Sequence, residues 1–344
     1  MESQNNSNKK KIINKLNNPP GRIVIITHIN PDGDAIGSSL ALYNLLKNTG
    51  HNLSVIAPND YPEFLHWLPG NNDVLVYHGN EKIAAEKILE AEIIFGIDFN
   101  DFGRIKQLGN HVKQSKAYKV IIDHHPNPDP NADYIITDIN VSSTAELIYQ
   151  FINNNKFHKY FNKEVAICIF TGIMSDTGCF SYNSSNKETY LTVAELLDYG
   201  FDKDNIYCKL YDNFSASRMQ LLGYSLNEKM EVIPEYNTAF ISLKTKELKK
   251  YKFQPGDSES FVNFPLSIKG ICFSALFIEK KDHVKVSFRS KGNFPVNKFS
   301  KKHFNGGGHL NAAGGESNAT MEETLKIFRD LLPEYREELL NDEK

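Results

Sequence analysis

RIVIITHINPDGDAIGS, residues 22–38, runs from an unbroken β-branched stretch, Arg22–Thr27, through a polar loop, His28–Gly33, into a helix pattern. Continuous apolar strands of this kind are covered on both faces, as in parallel sheets. The helix pattern spans about Asp34 to Lys47, with apolar residues at Ile36, Leu40, Leu42, Leu45 and Leu46, and stops at Gly50. A buried strand, a polar loop and a helix in that order are the repeating unit of an α/β domain.

The alternation continues outward. Leu53–Ala57 reads as a strand, Lys82–Leu89 as a helix, Glu92–Ile97 as a strand ending in Asp98, and Lys119–Ile122 as a strand ending in Asp123-His124-His125. Ser142–Asn154 and Lys163–Ser175 read as helices, the second running into Ser175-Asp176-Thr177-Gly178. The pattern specifies an α/β fold with a mostly parallel sheet flanked by helices, whose ligands bind beyond the carboxyl ends of the strands. Residues 1–20 read as a frayed or helical lead-in, and residues 60–80 give no definite pattern beyond a core role for Trp67.

The texture changes after about residue 200. Ser215–Lys229 reads as a connecting helix, followed by strand patterns at Thr238–Leu243, Ile271–Ile278 and Val284–Arg289, the last two spaced as a hairpin. A glycine-rich segment, Asn305–Gly315, precedes a C-terminal helix from about Met321 to Leu340. The expected organisation is an α/β domain over 15–212, a connector over 213–227, and a smaller α+β domain over 228–344.

At 344 residues the chain has the length of two domains of roughly 150 residues each. Hydrophobic residues at 40% and charged residues at 24% exclude wholesale disorder, collagen and coiled coil. The net charge of −3 argues against a protein that coats long nucleic acid, so a short or small anionic substrate is expected at a local patch. The four cysteines, Cys168, Cys179, Cys208 and Cys272, form no CxxC pair, which fits free thiols in a reducing compartment. The polar start MESQNNSNKKK carries no secretory signal, and the longest apolar runs are strand-sized, so a cytoplasmic protein with no membrane span is expected. Exposed strand edges in the first domain leave a homodimer open.

The chemistry is concentrated in five segments. His28, Asp32 and Asp34 place an imidazole and two carboxylates within seven residues after a buried strand. Hard divalent cations take carboxylate oxygens and tolerate imidazole, and a cation relieves the repulsion of paired carboxylates. The bland alternative is an Asp-rich turn with Asp34 capping the helix. Asp123-His124-His125, Gly96-Ile97-Asp98 and Ser175-Asp176-Thr177-Gly178 each add donors at the end of an apolar element, and each alone favours the plainer reading of a polar loop, a cap or a turn. Together they supply His28, Asp32, Asp34, Asp98, His124 and Asp176, enough for two metals sharing one carboxylate. Such a pair activates a water and stabilises both the attacking and the leaving oxygen of a phosphoryl centre. The fifth segment, Gly306-Gly307-Gly308-His309 onward to Gly315, offers backbone N–H groups to an anion or is simply a flexible loop. Arg289, Lys291, Lys298, Lys301, Lys302 and His303 lie just upstream, and the Arg289 fork suits phosphate. The lysines read equally as a solvated face.

HINPDGDAIGS, GID, DHH, SDTG, FRS and GGGH, in this order, resemble the DHH/DHHA1 phosphoesterases. The length looks most like the stand-alone nanoRNase/pAp-phosphatase type. The resemblance implies an N-terminal catalytic DHH domain and a C-terminal substrate-binding DHHA1 domain, with the active site expected in the cleft between them. It implies two divalent ions, manganese first and magnesium as the alternative. His28 and Asp32 would bind one ion; Asp34, His124 and Asp176 the other; Asp98 would bridge them. Asp123 would orient a histidine, and His125 would face the scissile phosphate as a donor or general acid. Arg289, Ser290, Gly306, Gly307, Gly308 and His309 would hold the substrate's terminal phosphate or nucleotide backbone. The implied reactions are hydrolysis of short oligoribonucleotides to nucleoside monophosphates and of 3′-phosphoadenosine 5′-phosphate (pAp) to AMP and phosphate. Phe264, Phe294, Phe304 and Tyr182 are candidates to stack on a base, against burial in a core. The competing readings are a linear or cyclic dinucleotide phosphodiesterase, a polyphosphate or pyrophosphate hydrolase, and a catalytically idle nucleotide-binding protein.

Overall fold

The computed structural model describes residues 2–126 and 128–341, with side chains from residue 7 onward. The chain divides into two compact units, Met1–Asn213 and Phe214–Lys344.

The first unit is built on six strands: β1 (Arg22–Ile26), β2 (Asn52–Ala57), β3 (Val74–Val76), β4 (Ile93–Ile97), β5 (Tyr118–Ile122) and β6 (Tyr134–Ile136). They lie in the order β3-β2-β1-β4-β5-β6, and every pairing is parallel. The strand order reverses between β1 and β4, the position at which open parallel sheets bind ligands. Helices cover both faces, as the unbroken apolar strands require. Ile25, Phe95 and Val120 bury one face against the helices Gly33–Leu46, Thr144–Asn154 and Lys163–Asp176. Ile26, Ile94 and Ile121 bury the other against Ala84 and Ile88 of Glu81–Glu90 and Leu108 and Val112 of Lys106–Gln114. Each such side chain contributes about 1.5–3 kcal/mol by leaving water.

Helix Gly33–Leu46 is buried along its whole length. It lies between the sheet and helix Lys163–Asp176, and the approach of those two helices is set by glycine. A Cβ on Gly37 would lie 2.7 Å from the carbonyl oxygen of Cys168 and 3.0 Å from the nitrogen of Gly172.

The second unit has strands β7 (Met230–Ile233), β8 (Thr238–Leu243), β9 (Phe273–Glu279), β10 (Val284–Ser290), β11 (Gly307–Gly308) and β12 (Ala312–Ser317), ordered β11-β12-β10-β9-β8-β7. β9 and β10 form the expected antiparallel hairpin, and among the described strands of this second sheet only the β8–β9 pairing is parallel. Its core is phenylalanine: Phe240, Phe273, Phe277, Phe288, Phe294, Phe299, Phe304 and Phe328 pack as one cluster.

Two segments differ from the sequence reading. The segment read as a connector belongs to the second unit: helix Ala216–Tyr224 buries Leu221 among Ile241, Leu243 and Phe261, and a π-helical turn, Ser225–Lys229, follows it. The C-terminal helix is interrupted, running Met321–Leu331 and Arg336–Leu340 around a 3₁₀ turn at Leu332–Tyr335, because Pro333 removes a backbone donor. The lead-in is a helix, Glu2–Leu16. Trp67 packs partly buried against the first core with Lys209 Nζ 4.3 Å from its ring. No described helix is long and apolar enough to cross a membrane.

Candidate active site

Three neighbouring strands carry the donors. β1 delivers the His28–Asp34 loop, β4 delivers Asp98, and β5 delivers Asp123, His124 and His125, while Asp176 ends helix Lys163–Asp176. Ligand atoms of His28, Asp32 and Asp98 all lie within 4.8 Å of one another, and so do those of Asp34, His124 and Asp176. Two donors on one cation, each about 2.0–2.6 Å from it, are separated by at most roughly 5 Å. Each triad therefore has the dimensions of one cation site.

Asp98 joins the triads. Its Oδ2 is 3.5 Å from His28 Nε2, and its Oδ1 is 3.8 Å from Nε2 of His124 and 3.8 Å from Nδ1 of His125. Its backbone is left-handed, φ +63°, a conformation that few non-glycine residues adopt outside functional sites. His28 Nδ1 is 2.9 Å from the carbonyl oxygen of Ile29; as donor there, it leaves the Nε2 lone pair toward the cation position. Asp123 is fully buried and its Oδ1 lies 2.6 Å from His125 Nδ1. His124 Nε2 lies 3.6 Å from Asp176 Oδ2.

The bland reading assigned the helix cap to Asp34, but the cap is Asp32. Asp32 Oδ1 accepts from the nitrogens of Asp34 (3.1 Å) and Ala35 (3.0 Å). Asp34 instead reaches across to helix Thr144–Asn154, accepting from Thr144 N at 2.7 Å, Ala145 N at 2.9 Å and Ser38 Oγ at 3.0 Å. Thr144 has no counterpart in the sequence reading. Its hydroxyl donates to Asp98 Oδ1 at 2.8 Å.

The donor set fits cations. Burial and the charges of Asp98 and Asp176 push the Asp34 carboxyl well above the carboxylate range. Burial, with Asp32 and Asp98 adding to it, pushes Asp176 up to about 6 against the pull of His124. Burial disfavours charge on His124, yet Asp176, Asp98 and Asp34 carry its pKa up to about 9. His28 rises in the same way: burial opposes its charge, and Asp32 and Asp98 outweigh it. Asp98 stays below the usual range against its own burial because His28, His125 and His124 surround it. Two divalent ions would let every carboxylate ionise and both imidazoles present a lone pair.

In the second unit, β10 alternates. Lys285, Ser287 and Arg289 share the face opposite the core, beside Ala312 and Gly314 of β12. Ser290 falls on the core face, buried, its hydroxyl donating to the carbonyl oxygen of Phe294 at 2.7 Å and accepting from Asn311 Nδ2 at 2.9 Å. Period-two alternation thus turns Ser290 to the face opposite Arg289. Arg289 Nη1 lies 2.9 Å from the carbonyl oxygen of Phe288.

The glycine run divides in two. A Cβ on Gly306 would lie 1.9 Å from the carbonyl oxygen of Gly314, and one on Gly308 2.3 Å from that of Ala312, so hairpin packing alone demands both. Gly307 is exposed, pairs with Gly314, and has nothing within 4 Å of a Cβ position. The His309 nitrogen donates to the carbonyl oxygen of Ala312 at 2.7 Å, closing the turn. Lys301, Lys302 and His303 form the last turn of helix Val296–His303, where cations favour the helix dipole. Of the aromatic candidates, Phe294 and Phe304 are core residues, whereas Phe264 is 41% and Tyr182 50% exposed.

Residues 22–173 match the N-terminal domain of the DHH family, and residues 237–336 match the DHHA1 domain. The chain belongs to the DHH/DHHA1 family. The DHH match contains every donor of the two triads except Asp176, and the DHHA1 match contains Arg289 and the glycine run. The chain is 44% identical to a crystallised exopolyphosphatase-related protein from Bacteroides fragilis, with TM-score 0.92, covering 97% of this chain and 98% of that one. It is 28% identical over 310 residues to the bifunctional oligoribonuclease and PAP phosphatase NrnA of Bacillus subtilis, covering 90% of this chain and 93% of the relative. It is 29% identical over 321 residues to the protein of the same name from Thermus thermophilus, covering 93% and 90%.

Proposed function

We propose that this DHH/DHHA1 phosphoesterase hydrolyses short oligoribonucleotides to nucleoside monophosphates and pAp to AMP and phosphate, with two divalent ions, manganese first and magnesium as the alternative. The observation that carries the reading is the pair of donor triads joined by Asp98 at the switch point of a parallel sheet. The names of the Bacillus and Thermus relatives supply the substrates.

When bound, the ion pair lowers the pKa of a water and neutralises charge on the phosphoryl oxygens. His28 and Asp32 would hold one ion, Asp34, His124 and Asp176 the other, and Asp98 would contribute to both. Asp123 orients His125 through Nδ1–H, and Nε2 is the nitrogen assigned to act on the leaving group. As imidazolium, His125 keeps Nδ1–H on Asp123 and gives the Nε2 proton to the leaving oxygen, which departs as an alcohol. Arg289, Gly307 and His309 hold substrate phosphate, and Ser290 supports this segment from the core side through Asn311.

The test is phosphate and mononucleotide release by the purified full chain with manganese, offered pAp, a labelled diribonucleotide, a cyclic dinucleotide and polyphosphate separately. Turnover of the first two above the others supports the reading. The Bacteroides relative's title makes polyphosphate the informative competitor. Preferred turnover of polyphosphate would replace the nucleotide assignment, and nucleotide binding with no turnover of anything would make the chain a binding protein.

Two variants separate holding substrate from folding. Arg289→Ala is expected to raise KM roughly ten- to a hundredfold, the loss of one charge-assisted contact, with two ions still bound per chain. Loss of metal in that variant would show that Arg289 acts at the metal centre instead. Gly307→Ala is expected to fold as the wild type and to raise KM, because backbone approach to an anion tolerates no Cβ. Gly306→Ala is expected to lower the melting temperature of the second unit. Equal melting and equal kinetics for the pair would remove the glycine run from the site.

A further inference from the structure

We infer that Thr144 is a positioning residue for the dinuclear centre: its hydroxyl and amide tie the shared carboxylate, Asp98, to the second triad's Asp34. The inference rests on the two-cation reading above.

Thr144 makes one bond to each of three donor residues. Its N–H donates to Asp34 Oδ2 at 2.7 Å, its hydroxyl donates to Asp98 Oδ1 at 2.8 Å, and its Oγ1 accepts from the His124 backbone N–H at 3.4 Å. These partners come from the β1 loop, the end of β4 and the end of β5, so one residue registers three strand ends against each other. The hydroxyl is not used in capping the helix. Ser143 is the N-cap, its hydroxyl accepting from the nitrogen of Glu146 at 3.2 Å. The Thr144 hydroxyl is committed to the centre.

The segment that carries Thr144 is itself held. Glu146 is fully buried, and its Oε2 accepts from Ser142 N (3.0 Å), Ser142 Oγ (2.6 Å) and Thr189 Oγ1 (2.9 Å). Thr144 therefore acts from a fixed base, and its β-branched side chain has few rotamers in which to turn away.

The consequence concerns which oxygens face the cations. With Oδ1 of Asp98 tied to Thr144, the carboxylate plane is set so that Oδ2 faces His28 while Oδ1 remains within reach of His124. Asp98 also sits at φ +63°, a conformation that persists only where its surroundings hold it. Without the hydroxyl, Asp98 Oδ1 is free to turn toward His125 Nδ1, 3.8 Å away, and to compete with Asp123 for it. Loss of the hydroxyl should therefore loosen cation binding and disorder the acid at once. Partners that orient metal ligands in this way typically change affinity by about 10–100-fold when removed.

The experiment titrates manganese into chelator-treated full-length protein by calorimetry for wild type, Thr144→Val and Thr144→Ser, with melting curves and kinetics on pAp for each. Val keeps the backbone amide and the branched shape and removes only the hydroxyl. The expected result is two equivalents in the wild type, at least one of them weakened about 10–100-fold in Thr144→Val, and both restored to within about threefold in Thr144→Ser. kcat should fall in Thr144→Val at nearly constant KM, with chelator-treated melting temperatures alike. If Thr144→Val does not fold, Thr144→Ala takes its place in the comparison. Wild-type affinities for both equivalents in the folded variant, or a Ser variant as weak as the Val variant, would overturn the inference. A wild type that binds fewer than two ions would instead overturn the two-cation reading, and with it this role.

Discussion

Asp98→Asn is expected to keep the chain folded, to lower the metal content below two ions per chain, and to reduce hydrolysis of pAp and of a diribonucleotide about a thousandfold or more. Asn is the informative replacement because Asp98 is left-handed at φ +63°, and Asn, unlike Ala, accepts that backbone readily. The amide keeps one oxygen and replaces the other with a donor. Whichever way it turns, both sides lose the negative charge and one also loses its oxygen donor: Oδ2 faces His28 at 3.5 Å and Oδ1 faces His124 at 3.8 Å. Charge neutralisation by a bound pair is worth several kcal/mol at the transition state, and each 1.36 kcal/mol is tenfold in rate, which sets the thousandfold scale. Plasma mass spectrometry of the gel-filtered protein and a phosphate-release assay read both effects. A variant within tenfold of wild type, still carrying two ions, would mean that Asp98 does not bridge.

The donors of this centre were legible because their chemistry is written in residue type and position. His28, Asp32, Asp98 and the Asp123-His124-His125 run each stand just past a strand that the unbroken apolar pattern makes recognisable. What tied them together was not legible. Thr144 lies 110 residues from Asp34 in sequence, and a threonine carries no ligand signature, so its role exists only in the folded juxtaposition. The helix cap falls on Asp32 rather than on Asp34 for a related reason. Both residues suit a first turn, and only the reach of Asp34 to the amides of Thr144 and Ala145 decides between them. β3 and β6 are three-residue edge strands, too short to show a period of two. Ser290 was within reach of sequence reasoning, since alternation along Val284–Ser290 already puts it opposite Arg289.

The second large effect concerns the helix crossing under the centre. Gly37→Ala is expected to destabilise the first unit by about 3 kcal/mol or more and to lower its melting temperature by roughly 6–12 °C, at the upper end of overpacking changes. The new Cβ would press on main-chain atoms, the Cys168 carbonyl oxygen at 2.7 Å and the Gly172 nitrogen at 3.0 Å, which no rotamer change can move. Gly172→Ala meets the same crossing from the other side, with Ala145 Cβ at 2.5 Å and Asp34 Oδ1 at 2.8 Å. That second contact falls on Asp34, a candidate donor of the second triad. Gly172→Ala should therefore weaken binding of one ion even at temperatures where the variant is folded. Gly223→Ala, in helix Ala216–Tyr224 with nothing within 4 Å, is the control of opposite sign, neutral or more stable by about 0.5–1 kcal/mol. Thermal melts of the three variants, with manganese titrations of the two that touch the crossing, separate packing from ligand placement. Gly37→Ala melting within about 2 °C of wild type would mean that the helices can part without loss. The close crossing would then be incidental to the position of Asp34 rather than its cause.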